Sequence, residues 1–175
     1  VIVCAGNSTR MGGVNKILMP LGEGVVIGQT MKAFEETPEI KEIIIVARED
    51  DFPAIENEAK RAGITKFVKC VAGGNTRQES VINGIRCISQ ETELIAVHDG
   101  ARPLVKPCHI SKAVKDALVF GGAALGVPVK DTIKVVDSGL VVDTPPRKNL
   151  YITQTPQIFK KKIYFEGVDF ALEHN

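Results

Sequence analysis

The chain has 175 residues, of which 44% are hydrophobic and 25% are charged, and its net charge is +1. This length suits a single domain with one core, which we predict over residues 1–175. The near-zero net charge excludes a bulk attraction to nucleic acid or to a membrane surface, so any anion must be bound by a local arrangement of residues.

The cysteines and the apolar stretches narrow the class of protein further. The four cysteines form no C-x-x-C pair and have no histidine at zinc-ligand spacing, which favours a reducing cytoplasm. The longest apolar stretch is too short for a transmembrane helix, and no signal peptide is visible. The sequence starts at Val1 without a methionine and stops within a helical pattern. We therefore expect both ends to be trimmed, which leaves a lost targeting segment open.

Five runs rich in valine and isoleucine alternate with helical patterns. The runs cover 1–5, 41–47, 66–72, 93–99 and 123–129, and the helical patterns cover 26–36, 51–62, 76–89 and 108–120. Because the runs are continuously apolar, they favour strands that are covered on both faces. The alternation predicts an α/β fold with a mostly parallel, Rossmann-like sheet flanked by helices.

One segment departs from this alternation. The stretch TIKVVDSGLVVDT (132–144) contains two β-type runs around Asp137-Ser138-Gly139, which predicts a hairpin. An isolated hairpin is only marginally stable. We therefore expect an arm, covering about 130–150, that projects from the domain and packs against something such as a second subunit.

The segment after the first strand has the composition of a phosphate-binding loop. GNSTRMGGVNK fits neither a P-loop nor Gly-x-Gly-x-x-Gly, since Ser8 stands at the second glycine of the latter. Its glycines nevertheless let backbone N–H groups approach an anion, and Arg10 and Lys16 supply positive charge. A glycine-rich turn with two solvated cations is an equally good interpretation of this loop alone.

The segment GGNTRQES follows the third strand, where ligands of open α/β sheets bind. Asn75 and Ser80 offer polar groups to a base or a sugar. The simpler interpretation is a Thr-x-x-Glu capping box with Thr76 at the helix N-cap. Arg77 opposes the helix dipole at this position, which favours a ligand or an ion-pair partner for it.

The segment VHDGARP carries the fourth strand into its loop. Asp99 stands where one or two carboxylates would hold Mg²⁺ near phosphates. Alternatively, it caps the turn with Arg102 as its partner. His98 is predicted to be buried or at the edge of the sheet, and the three histidines are too scattered for a metal site.

Taken together, these segments resemble the 2-C-methyl-D-erythritol 4-phosphate cytidylyltransferase family of the non-mevalonate isoprenoid pathway. Six segments occur in the same order as in that family, along essentially the whole chain: AGNSTRMG, NK, GGNTRQESV, VHDGARP, PVKDTIK and QTPQIF. The resemblance implies a nucleotide-diphospho-sugar transferase-like fold and a homodimer joined through the hairpin arm. It also implies a reaction in which CTP and methylerythritol phosphate give the CDP-alcohol and pyrophosphate.

The resemblance assigns roles residue by residue, with Arg10, Lys16 and Asp99 as the catalytic residues. The triphosphate would be bound by Ala5, Gly6, Ser8, Arg10 and Lys16. The cytidine would lie among Gly73, Asn75, Arg77 and Ser80, with Gly100 against the ribose. Asp99 would bind Mg²⁺, directly or through water, and methylerythritol phosphate would contact Asp99, Arg102, Thr132, Arg147 and Thr155. Some of these contacts would come from the neighbouring subunit.

The sequence departs from the family pattern at three positions. Cys4 and Gly100 each replace the commoner alanine, and Ser8 replaces a glycine, where it would be strained at positive φ or would offer a hydroxyl to phosphate. Family members also continue past the C-terminal end of this sequence, so the site is expected to be incomplete there. Ribitol-5-phosphate cytidylyltransferase, another sugar-phosphate nucleotidyltransferase and a non-catalytic nucleotide-binding domain stay open as alternatives.

Overall fold

A computed structural model of the chain describes residues 1–6 and 15–174. The strands are β1 Ile2–Val3, β2 Pro20–Leu21, β3 Gly24–Val25, β4 Ile43–Ala47, β5 Phe67–Ala72, β6 Leu94–Asp99, β7 Gly122–Pro128, β8 Val135–Asp137, β9 Leu140–Asp143 and β10 Tyr151–Lys160. The helices are α1 Val26–Glu35, α2 Phe52–Arg61, α3 Arg77–Ile85, α4 Pro107–Phe120 and α5 Lys161–Glu173. None of the helices within these ranges is long and apolar enough to cross a membrane.

The main sheet has six strands in the order β5-β4-β1-β6-β10-β7. The first four of these are mutually parallel, while β10 runs antiparallel to both of its neighbours. Strand β7 therefore points the same way as β6. The sheet with its flanking helices confirms the predicted α/β fold.

The strand and helix sequences explain how the core forms. All five residues of β4 are buried, and alternate side chains point to opposite faces of the sheet. On one face, α1, α2 and α4 pack over Ile2, Ile45 and Ile158. On the other, α3 packs Val81 and Ile85 against β6. The carboxyl ends of β1, β4, β5, β6 and β7 consequently share one edge of the sheet.

Two strand predictions need correction. The run at 123–129 was expected to be covered on both faces, but β7 is an edge strand with exposed Ala124, Gly126 and Val127. Strand β10 was not predicted, because Tyr151–Lys160 mixes threonine, glutamine and proline with its apolar residues. Its bulge between Thr153 and Gln157 interrupts the alternation further.

The predicted hairpin is confirmed as β8 and β9, which pair only with each other among the described strands. Ser138 and Gly139 form the turn with φ values of 49° and 82°, as a two-residue hairpin turn requires. Every residue from 130 to 144 is exposed. The arm therefore projects away from the main sheet.

Candidate active site

The described residues that directly follow β1, β5 and β6 meet at one edge of the sheet. Asp99, the last residue of β6, lies opposite Val3 in the parallel pairing with β1. A side chain on Gly73, after β5, would place its Cβ 2.2 Å from the Cβ of Ala5. The absence of a side chain at Gly73 thus lets the second loop close onto the first.

Asp99 is the centre of a cluster of charges. Its Oδ1 accepts a hydrogen bond from Arg77 Nη2 at 3.0 Å, and its Oδ2 accepts one from Arg102 Nε at 3.0 Å. Arg102 Nη1 also donates to Gln154 Oε1. The pairing of Asp99 with Arg102 is the one given above as the alternative to a Mg²⁺ site. Asp99 is also an ion-pair partner of Arg77, for which the sequence favoured either an ion pair or a ligand.

The two arginines control the ionisation of Asp99. Burial alone would raise the pKa of this carboxyl, but the hydrogen bonds and charges of Arg77 and Arg102 outweigh burial and hold the pKa below its ordinary value. Asp99 is therefore a carboxylate at neutral pH. The cluster carries a net positive charge, which suits an anionic ligand.

The loop before α3 is shaped by the first turn of that helix. Thr76 Oγ1 accepts from the backbone N–H of Glu79 at 3.0 Å, which confirms the predicted N-cap. The return bond of the capping box is shifted by one residue, since Glu79 Oε2 accepts from the N–H of Asn75. Buried Ser80 accepts from the N–H of Gly74 at 3.0 Å. Ser80 therefore fixes the loop that was predicted to surround the cytidine.

Lys16 begins a short 3₁₀ turn at Lys16–Leu18. The preceding Asn15 donates from Nδ2 to Asp51 Oδ1 at 2.7 Å, and Asp51 is paired with Arg48 at 2.9 Å. This buried anchor fixes the backbone from which Lys16 extends. The predicted site residues Ser8 and Arg10 lie outside the described residues.

Thr155 and Gly100 join the Asp99 cluster, while Thr132 and Arg147 stay with the arm. The N–H of Asp99 donates to Thr155 Oγ1 at 3.2 Å, and the N–H of Gly100 donates to Val3 O at 2.9 Å. Thr132 is exposed. Arg147 Nη1 donates at 2.6 Å to the carbonyl of Lys130, which belongs to the arm itself.

Two cavities differ in what lines them. One of about 580 Å³ opens beside Arg102 and Thr155 and is also lined by Leu104, His109 and Gln154. A larger cavity of about 790 Å³ lies at the opposite edge of the sheet, among residues that precede or start the strands. The larger cavity contains none of the predicted site residues, so the smaller one is the candidate substrate pocket.

Other chemistries find little support among the described residues. They contain no group of three histidine, cysteine or acidic residues that could hold a metal ion. All four cysteines are free, and burial raises the pKa of Cys4 far above its ordinary value, so it is not a thiolate at neutral pH. His98 is fully buried, as predicted, with its ring packed 4.9 Å from that of Phe34.

Comparison with known proteins gives matches along nearly the whole chain. The family model described as 2-C-methyl-D-erythritol 4-phosphate cytidylyltransferase matches residues 1–173. The protein of that name from Caldanaerobacter subterraneus is 44% identical over 99% of this chain and 78% of its own length. The one from Clostridium tetani is 38% identical over 100% of this chain and 72% of its own length.

A solved structure shows the same relationship in three dimensions. The 4-diphosphocytidyl-2C-methyl-D-erythritol synthase of Anaerococcus prevotii superposes with a TM-score of 0.87 at 28% identity, over 98% of this chain and 74% of the other. Sequence and fold thus agree along nearly the whole chain, and the chain belongs to the 2-C-methyl-D-erythritol 4-phosphate cytidylyltransferase family.

Proposed function

We propose that the chain transfers the cytidylyl group of CTP to 2-C-methyl-D-erythritol 4-phosphate and releases pyrophosphate. The observation that carries this proposal is the cationic cluster around Asp99 at the edge where the loops after β1, β5 and β6 meet. Two phosphate-bearing substrates must be held side by side for this reaction. A cluster with two guanidiniums and one carboxylate suits that task.

The triphosphate is proposed to lie along the loop after β1. Ala5, Gly6 and Ser8 would contribute backbone groups, while Arg10 and Lys16 would neutralise phosphate charge. The cytidine would lie against Gly73, Asn75, Arg77 and Ser80, and its ribose against Gly100. The close approach of Gly73 to Ala5 supports this arrangement, because it puts the two loops within reach of one nucleotide.

The acceptor is proposed to bind in the cavity beside Arg102 and Thr155. Its phosphate would be held by Arg102 from one subunit and by Thr132 and Arg147 from the arm of the other. Thr155 Oγ1 would accept a hydrogen bond from a hydroxyl group of the acceptor. An acceptor phosphate monoester is already largely ionised at neutral pH. It therefore needs no general base, so the reaction requires neither the buried His98 nor His109 in the cavity lining to accept a proton.

The reaction follows an in-line course. An oxygen of the acceptor phosphate forms a bond to the α-phosphorus of CTP, the bond from that phosphorus to the bridging oxygen breaks, and pyrophosphate leaves with the electron pair. The repulsion between two anions in a partly dry site is the main obstacle. Arg10 and Lys16 lower it by placing positive charge where negative charge develops.

Mg²⁺ is the proposed cofactor, and Asp99 is the described residue that fits it. Mg²⁺ in nucleotide sites is usually held by one or two carboxylates with phosphate oxygens and water completing the shell. Both oxygens of Asp99 are engaged by arginines, so Arg77 must release Oδ1. The Arg77 side chain is 55% exposed and free to turn toward a phosphate. The ion itself would supply further charge neutralisation at the phosphates.

A homodimer built through the arm is part of the proposal. The arm exposes Val136, Leu140, Val141 and Val142, each more than half accessible, which is costly for an isolated hairpin. Leu140→Glu is expected to shift sedimentation from dimer to monomer. Val68→Glu is the matched control, because Val68 is 52% exposed on β5 at the other edge of the sheet. A monomeric parent protein would contradict the proposal.

The proposed compartment is the cytoplasm. Free cysteines support it, since disulfides persist mainly in oxidising compartments.

Pyrophosphate release tests the proposed reaction. The full natural chain is incubated with CTP and Mg²⁺ and with either 2-C-methyl-D-erythritol 4-phosphate or ribitol 5-phosphate. Release with the methylerythritol substrate and not with ribitol 5-phosphate is the expected result. Release only with ribitol 5-phosphate would overturn the choice of acceptor. CTP binding without release for either acceptor would identify a non-catalytic nucleotide-binding domain instead.

A further inference from the structure

We propose that His98 is a positioning residue for the acceptor, acting through Arg102 and Thr155 rather than touching the substrate. This inference rests on the proposed function, because Arg102 and Thr155 matter only if the acceptor binds beside them. It adds to that function a buried residue with no assigned role. It also explains why a polar ring lies in an otherwise apolar strand.

His98 joins the two acceptor-binding residues by hydrogen bonds of fixed direction. Its Nε2 lies 3.1 Å from the carbonyl oxygen of Arg102, and its Nδ1 lies 3.0 Å from Thr155 Oγ1. A carbonyl can only accept, so Nε2 carries the proton. In the neutral ring, Nδ1 must then accept from the Thr155 hydroxyl, and that hydroxyl accepts in turn from the N–H of Asp99.

These bonds clamp the turn that presents Arg102. The N–H of Arg102 donates to the carbonyl of Asp99 at 3.0 Å, which closes the turn over residues 99–102. The carbonyl of Arg102 accepts a hydrogen bond from the buried His98 ring. The guanidinium of Arg102 donates to Asp99 Oδ2. The His98 bond therefore fixes the backbone, and the ion pair fixes the side chain.

The ring is well suited to act as a rigid support. His98 has no exposed surface, and it packs against Phe34 of α1. A buried side chain locked by packing and by two hydrogen bonds holds its neighbours more closely than an exposed one can. Misplacement of a binding group by about 1 Å can reduce a rate by roughly a hundredfold.

Thr30 provides a second, independent support for the same turn. Its Oγ1, fully buried, donates to the carbonyl of Gly100 at 2.8 Å. Thr37 is its natural control, because it is equally buried and its Oγ1 donates at 2.8 Å to Ala33 O without touching the site. Replacing either threonine with valine removes one buried hydroxyl at nearly constant volume.

The test uses two substitutions of His98 that each keep one bond. In His98→Gln the amide reaches the place of Nε2 and keeps the contact with Arg102. In His98→Asn the amide reaches the place of Nδ1 and keeps the contact with Thr155. Pyrophosphate release is measured against the concentration of each substrate, and unfolding by urea reports stability.

Both His98 variants are expected to raise the KM for the acceptor about tenfold, with the KM for CTP unchanged within about twofold. Thr30→Val is expected to raise the acceptor KM in the same direction, whereas Thr37→Val leaves it unchanged. Thr30→Val keeps the test decisive if substitution of His98 prevents folding.

Two outcomes would overturn the inference. One is an acceptor KM that is unchanged in the His98 variants and in Thr30→Val. The other is a loss shared equally by both substrates and by Thr37→Val, since that would show general loss of structure. Absence of transfer in the unsubstituted protein is a separate result, and it would instead overturn the proposed reaction.

Discussion

The turn that carries Asp99 and the arm that carries Arg147 are organised in opposite ways. The turn is held from the buried side by His98, Thr30 and Thr155, and its charged groups pair with one another. The arm is exposed from residue 130 to residue 144, and the described hydrogen bond of the Arg147 guanidinium goes to the carbonyl of Lys130 in the arm itself.

This difference separates two kinds of proposed binding residue. Residues of the turn are positioned before any ligand arrives, because the core holds them. Residues of the arm lack support from their own core, so their position is proposed to depend on a second subunit. Substitutions in the two regions should therefore produce different patterns of loss.

The largest expected effect is a loss of activity on substitution of Lys16, whose backbone is anchored to the core of the domain. Lys16→Ala is expected to lower kcat by about 10²–10³, equal to about 2.7–4 kcal/mol, because a charge aimed at the developing phosphate charge is removed. Steady-state pyrophosphate release measures kcat. Arg10→Ala is expected to have a similar effect from its place in the glycine-rich loop.

Stability should hardly change in Lys16→Ala, because the anchor through Asn15 and Asp51 remains. Lys32→Ala on α1 is the matched control, since Lys32 is an exposed lysine outside the site. Near-normal turnover in both Lys16→Ala and Arg10→Ala would contradict the assignment of the phosphate-binding loop.

The next effect concerns buried His98 and the dependence of protein stability on pH. Burial lowers the pKa of His98 from 6.5 to about 4, opposed in part by the hydrogen bond to the Arg102 carbonyl and by the charge of Asp99. Between pH 6.5 and about pH 4, the unfolded chain binds a proton at His98 and the native chain does not. The contribution of His98 to the free energy of unfolding is therefore fully present above pH 6.5 and is lost as the pH decreases toward about 4.

Urea unfolding at pH 7 and pH 5 measures this dependence. The loss attributable to His98 is expected to be about 2 kcal/mol over that interval. His98→Gln should lack this component, while other titrating groups contribute equally to both proteins. The same pH dependence in both proteins would show that His98 is not held neutral by burial.

The arm should show a selective effect. Arg147→Ala is expected to raise the KM for methylerythritol phosphate about tenfold, or about 1.4 kcal/mol, while the KM for CTP stays unchanged. Arg147 is exposed, so the free energy of unfolding should not change. Lys148→Ala in the same exposed turn is the control. Equal weakening of both substrates would indicate a structural role for Arg147.

Much of the fold could be predicted from local sequence, and the exceptions are non-local. The runs that became β4 and β6 and the hairpin at Asp137–Leu140 were evident from composition and turn residues. Strand β10 was not, because its polar sequence forms a strand only between β6 and β7. Full burial of β7 was wrongly expected, since an apolar run does not reveal that its strand lies at an edge.

The candidate site shows the same division. Thr76 as a cap and Arg102 as a partner of Asp99 were predictable, because both involve residues three positions apart. The pairing of Arg77 with Asp99 spans 22 positions and depends on how α3 packs against the sheet. The proposed role of His98 was missed. A polar residue inside an apolar run was the signal, but one partner, Thr155, is 57 positions away and the other is a backbone carbonyl, which the sequence does not reveal.

The smallest expected effect is a coupling of about 1 kcal/mol between Cys4 and Gly100, which lie side by side beneath the Asp99 turn. A Cβ added to Gly100 would lie 2.2 Å from Cys4 Sγ, so the sulfur of Cys4 occupies the space that an alanine at 100 would need. We therefore expect the residues at positions 4 and 100 to be coupled in size. Gly100→Ala alone is expected to destabilise the protein through this clash, by about 1–3 kcal/mol.

A double-mutant cycle measures the compensation. Cys4→Ala together with Gly100→Ala should recover at least about 1 kcal/mol relative to the sum of the single changes. The four free energies of unfolding come from urea titrations. Strict additivity would mean that the backbone around Gly100 yields enough to accept a methyl group beside Cys4. In that case the Asp99 turn is less rigidly held than its hydrogen bonds to His98 and Thr30 imply, and the contrast with the arm is weaker.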